Sequence, residues 1–400
     1  MRTSAALATL ATLAFVGCTA TPQASATPTP AASPSPTAST SAESKAADFR
    51  IRLDLLLGEH VIIIAKESSA PARRAEYTSY LRLLTTNGAD LTELVRSAMG
   101  DSVATRFDQI WSAQNDFVVS YTIGLVTHNQ GKASAALHGL SANFVPQFSQ
   151  FLSDVTQVPL ELILPLMTQN MLETKTILDD QFLRNYAALY ADLRTSYAHA
   201  TQVGDAIAPR IVERFPDKFP GNAMSPAANL RASLNINWQE HSYLATMRTS
   251  AAVGARSAEQ AAATGALVDN ANAIDAVLTG LFGAPSAITF DHIWAAGNAA
   301  TVGYASASTG AAKQRASSEL ADASVAQLSS WLLDSTGLAA DVSRPALEGQ
   351  LEALVTVIDD QRTKSWSRLA ADDRSAETAT EVVADLVAAA AIAKLPARFG

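Results

Sequence analysis

The sequence Phe107-Asp108-Gln109-Ile110-Trp111 returns downstream as Phe290-Asp291-His292-Ile293-Trp294, with Asn115 and Tyr121 returning in register as Asn298 and Tyr304. Glu59-His60 returns as Glu240-His241, and Thr176-Ile177-Leu178-Asp179-Asp180-Gln181 as Thr356-Val357-Ile358-Asp359-Asp360-Gln361. Phe215-Pro216-Asp217-Lys218-Phe219 returns as Leu395-Pro396-Ala397-Arg398-Phe399. Five landmarks in one order at a nearly constant offset mean one unit written twice, and internal repetition constrains a fold more than any local pattern. The halves are expected at residues 48–220 and 226–400, joined across Pro220-Gly221-Asn222 and Ser225-Pro226.

Helical periodicity fills the first half. Phe107, Ile110, Trp111, Phe117, Val118, Tyr121 and Leu125 fall at three- and four-residue spacing, and Pro71, Gly100, Gly131, Pro159 and Gly204 separate the periodic stretches. The spacing predicts helices near 46–68, 72–98, 102–130, 132–155, 160–180 and 182–214. Short connections place consecutive helices antiparallel. The expected fold is all-α: two tandem homologous up-and-down helical bundles. The second half carries more alanine, as in Ala388 to Ala393, and fewer bulky side chains.

Ahead of the helices, Arg2 precedes a short apolar stretch, Ala5 to Val16, that ends at Gly17-Cys18. Phe15-Val16-Gly17-Cys18 resembles the bacterial lipobox, so residues 1–17 read as a lipoprotein signal peptide and Cys18 as the acylated residue. It is the one cysteine in the chain, which excludes an internal disulfide and a multi-cysteine zinc site. Two acyl chains anchor stably where one is marginal. Residues 18–47, built mainly from Pro, Ser, Thr and Ala, read as a tether with nothing to bury, and an extended reach approaching roughly 90 Å. The expected location is the extracytoplasmic face of the cell membrane, with an envelope protein as partner. A net charge of −9 argues against nucleic acid.

The recurring polar residues supply the candidate site. Glu59, His60, Asp108, Asp179 and His199 are the oxygen and nitrogen donors of the first half, with Asn115 beside them. Glu240, His241, Asp291, Asp359 and Asn298 repeat the set in the second half. Turned into one bundle interior, they would hold a transition metal. Adjacent residues of a helix point about 100° apart, so only one of Glu59 and His60 is expected to face the core. Set against this, helical di-iron sites use Glu-x-x-His pairs, which the chain lacks. The other reading is that these residues hydrogen-bond in the interior and fix helix register.

Leu56-Leu57-Gly58-Glu59-His60, Trp111 with Tyr121-Thr122-x-Gly124, Ile177-Leu178-Asp179, Tyr197-Ala198-His199 and Arg214-Phe215-Pro216-Asp217-Lys218-Phe219 together resemble a group of bacterial exported helical-repeat lipoproteins without an assigned activity. In their pattern histidine stands where this chain has Asn115 and Asn170, alongside the positions of His60 and His199. The resemblance implies that any histidine cluster is half lost here, with Asn298, Gln350 and Ala379 standing at the second-half positions. That departure favours scaffolding or binding over metal chemistry.

No Gly-rich phosphate loop, Gly-x-Ser-x-Gly elbow, His-Glu-x-x-His or Cys-His pair is present. The sequence points away from an enzyme and toward a non-catalytic envelope protein, with a metal-dependent redox bundle as the alternative.

Overall fold

A computed structural model describes residues 41–70 and 74–399; Cys18 and most of the expected tether lie outside them. A short 3₁₀ turn, Ser41–Glu43, leads into α1 (Lys45–Ser69), α2 (Arg74–Met99), α3 (Asp101–Val126), α4 (Gln130–His138), α5 (Val145–Thr156), α6 (Leu160–Leu183) and α7 (Tyr186–Arg214). Then follow α8 (Pro226–Val253), α9 (Ser257–Phe282), α10 (Ala284–Ser306), α11 (Gly310–Ala321), α12 (Leu328–Thr336), α13 (Ala340–Thr363), α14 (Trp366–Lys394) and the short α15 (Pro396–Phe399). Among the described residues there is no strand, and the all-α expectation holds.

Local chemistry sets the boundaries. Ser44 Oγ accepts from the Ala47 amide and starts α1 inside the segment expected as tether. Ser225 caps α8 in the same way, ahead of Pro226 at its first turn. Gly100 and Gly283, at φ 87° and 82°, make the turns into α3 and α10 with a backbone that disfavours side chains. Arg184 and Lys364, which follow α6 and α13, both take the left-handed conformation. A π-helical turn divides α4 from α5 (Gly139–Phe144) and another divides α11 from α12 (Asp322–Gln327). The fourth predicted helix is therefore interrupted, and the third ends at Val126, four residues before its expected limit of 130.

Helices α1 and α8 pack against each other at the centre of the described helical body. α1 also packs on α2, α6 and α7, α8 on α9, α10, α13 and α14, while α14 reaches α2 and α7 reaches α9. The hydrophobic clusters follow this arrangement and cross the join between the halves. One gathers Phe49, Phe107, Trp111 and Phe151 of the first half with Val357, Leu369 and Ala376 of the second. Another joins Val61, Ile62 and Leu193 to Tyr243, Leu244 and Leu267. The described residues form one compact unit.

The central position of α1 overturns the expectation that only one of Glu59 and His60 faces the core. Arg50, Asp54, Glu59, His60, Lys66 and Glu67 are all buried, on different sides of the helix. Past Arg52 the helix is enclosed by its neighbours, so Glu59 and His60 both face the interior, toward different partners.

Candidate functional site

Glu59, 2% exposed, accepts hydrogen bonds from three helices. Asn87 of α2 donates at 2.9 Å, Tyr243 of α8 at 2.8 Å and Arg374 of α14 at 2.9 Å. Burial pushes its carboxyl up, while Arg374, Asn87 and Tyr243 pull it back toward the ionised form. Glu240 is held in a matching way, by Asn270 of α9 at 2.7 Å and Arg194 of α7 at 3.0 Å. In each set the asparagine also donates to a main-chain carbonyl one turn earlier, Leu56 for Asn87 and Asn237 for Asn270.

The arginines cross over. Arg194, on the last long helix of the first half, reaches the glutamate of the second; Arg374, on the last long helix of the second half, reaches the glutamate of the first. Each arginine also borders an open groove, Arg374 one of about 540 Å³ between α2 and α14, and Arg194 one of about 550 Å³ between α7 and α9. Small and polar residues such as Ser79, Thr86, Ser375, Ala191 and Thr195 line these grooves.

His60 and His241 sit beside tryptophans, His60 with its ring centroid 4.7 Å from Trp111 and His241 4.3 Å from Trp294. Burial holds both imidazoles neutral at physiological pH, with pKa values pushed down to about 4 and about 3. The Asn87 side chain beside His60 and the Asn270 side chain beside His241 partly oppose that downward push.

The other predicted ligands lie elsewhere. Asp108 is exposed and accepts from Thr92 at 3.3 Å. Asp179 accepts from Tyr121 at 2.7 Å and pairs with Lys175. Asp359 repeats this with Tyr304 and Lys313. His199 meets Glu173 at 2.8 Å. Asp291 is half-buried on α10, its carboxyl pushed up by burial and by Asp275. Among the described residues no three His, Cys, Asp or Glu side chains are placed to hold a metal ion. Glu59, His60, Asp108, Asp179 and His199 thus do not gather into one donor set, because the residues between them partition the interior and each is engaged separately.

A further buried ion pair has no polar counterpart. Lys66 of α1 bonds Asp373 of α14 and donates to Thr246 at 2.7 Å, while Tyr80 donates to Asp373 at 3.0 Å. The positions that repeat these four residues are Met247, Leu193, Ala65 and Ala263, which share one hydrophobic cluster. Sequence reasoning missed this pair and missed Arg194 and Arg374. For the arginines a signal existed, since they recur at the same offset as the Thr-x-x-Asp-Asp-Gln blocks.

No protein family, curated protein or solved structure matches this chain. No described helix is long and apolar enough to cross a membrane.

Proposed function

We propose that this chain is a membrane-anchored extracytoplasmic lipoprotein whose helical body serves a non-catalytic binding or scaffolding role at the cell envelope. The anchor rests on the lipobox-like sequence at Cys18 and the proline-rich stretch after it. The observation that carries the non-catalytic reading is the crossed pairing of Glu59 with Arg374 and of Glu240 with Arg194, which spends the recurring acids on holding α1, α7, α8 and α14 together. A carboxylate whose oxygens are taken by an arginine, an asparagine and a tyrosine has little capacity left for a metal or a substrate.

An apolar face on α6 supports a protein partner. Leu162 and Leu166, one turn apart, are 61% and 43% exposed, where α13 carries Val342 and Ala346 at the repeated positions. Neighbouring Leu164 and Leu172 are also exposed, and exposed apolar surface of this kind marks interaction sites.

Two measurements test the reading. Replacement of Cys18 by Ala releases the protein from membranes if acylation anchors it; continued membrane association contradicts the anchor. Protein purified without chelators carries less than about 0.2 equivalents of Fe, Cu, Zn or Mn, and these metals leave its melting temperature unchanged. A ligand bound only by the folded state must raise that temperature. Stoichiometric metal lost on E59Q or H60Q substitution would instead support the redox alternative.

A further inference from the structure

Phe144 and Ser324 occupy repeated positions within the π-helical turns of the two halves. In the first half the Phe144 ring is buried, edge-on to Trp111 at 6.4 Å and stacked on Phe148 at 5.2 Å. In the second half Ser324 replaces that ring and Leu328 replaces Phe148. A cavity of about 60 Å³ opens there, lined by Ser324 and Leu328 together with His241, Trp294, Asn298 and Gln350.

We propose that this cavity is a binding site for a small, planar, uncharged molecule of the carboxamide class. Three observations fix the chemistry. Size comes first: at about 30 Å³ per water the space holds roughly two waters, or one molecule of three or four bonded non-hydrogen atoms. Charge comes second. No Asp, Glu, Lys or Arg lines the cavity, and burial keeps His241 neutral, so an ion entering it would lose its hydration without a compensating charge. Hydrogen bonding comes third. Trp294 Nε1 is buried without a partner, and the side-chain amides of Asn298 and Gln350 add both donors and acceptors to the lining. A carboxamide offers a donor and an acceptor in one plane. Its flat face replaces the Phe144 ring against the indole.

The first half shows why the site is confined to the second. His60, Trp111 and Asn115 repeat the polar wall, but Phe144, 3% exposed, fills the space before them. The inference goes beyond the scaffolding reading, since an empty cavity would leave the crossed arginine–glutamate pairs in place.

The test uses the full chain labelled with ¹⁵N in its five tryptophans, with acetamide as probe. The Trp294 indole signal, assigned by its loss in W294F, is expected to shift saturably with acetamide at millimolar concentration. In S324F the added ring takes the place held by Phe144 in the first half and weakens binding at least tenfold. Should S324F fail to melt cooperatively, L328F narrows the cavity from its other wall and is expected to act in the same direction. A Trp294 signal that does not saturate, or that saturates equally in a folded cavity-filling variant, overturns the proposal and leaves water as the occupant.

Discussion

Arg374 donates to Glu59 at 2.9 Å across 315 residues of sequence, tying the last long helix of the chain to its first. With the reciprocal contact of Arg194 to Glu240, each half closes the polar gap of the other. Removing one partner of a buried pair leaves the other charge unsolvated, at a cost of about 3–5 kcal/mol. R374L and R194L are each expected to destabilise folding by about 3 kcal/mol in urea titrations, near the lower end of that range because both guanidinium groups keep some contact with water. A loss below roughly 0.5 kcal/mol, the level of an exposed pair, would reduce these contacts to surface decoration.

Lys66 and Asp373 allow a sharper experiment because the molecule contains its own apolar control. Burial pushes the Lys66 ammonium down and Asp373 restores it, so the pair is stable only as a pair. K66M and D373L alone should each cost about 3–5 kcal/mol. The double variant installs the residue types found at Met247 and Leu193, and is expected to recover most of that loss. Simple additivity of the two losses in a double-mutant cycle would contradict the pairing.

Asp54 predicts a pH dependence. It is fully buried against Asp205, with Arg50 Nε at 3.7 Å, and Gly204 leaves room for its carboxyl. Its pKa is raised to about 9, by burial first and by Asp205 second. The repeated position holds Asn235, whose amide donates to Asp385 at 2.6 Å; a protonated Asp54 would make the same donation to Asp205. The folded state then holds a proton that the unfolded chain releases near pH 4. This contribution to stability is complete below that pH and is lost as pH rises toward 9. D54N keeps the donor without the proton. Its stability relative to the parent chain should rise across that interval by up to about 1.4 kcal/mol per pH unit. A pH-independent difference between the two proteins would mean Asp54 is ionised.

The histidines act at the other end of the scale. His60 and His241 are neutral in the fold because burial disfavours the charged ring, and their folded pKa values lie below the ordinary value of 6.5. The unfolded chain binds these protons first, so their contribution is complete above about pH 6.5 and is lost as pH falls toward 4 and 3. Ring proton resonances of both residues should stay constant from pH 8 to pH 5. Movement of either with a midpoint near 6.5 would show a solvated ring.

Much of the architecture was legible in the sequence because apolar periodicity and turn residues are local. Helix limits predicted for the first half fall within a few residues of α1, α2 and α7, and Trp111 lies in the interior as its spacing implies. The candidate site was legible only as a set of residues. Asp108 and Glu59 belong to the same repeated vocabulary, yet one meets solvent and the other is enclosed by α2, α8 and α14. Partners such as Arg374 and Tyr243 come from the opposite half, and local spacing carries no information about contacts at that separation. Lys66 was invisible for a further reason. Its counterpart is Met247, so the repeat itself concealed the ion pair.

The most direct test of the crossed pairing is calorimetric unfolding of the full chain and of its R194L and R374L variants. If the halves fold as one body, the parent chain melts in a single cooperative transition, and either substitution lowers that whole transition. Two separated transitions, with R194L and R374L each moving only one of them, would show two independent bundles and contradict the account.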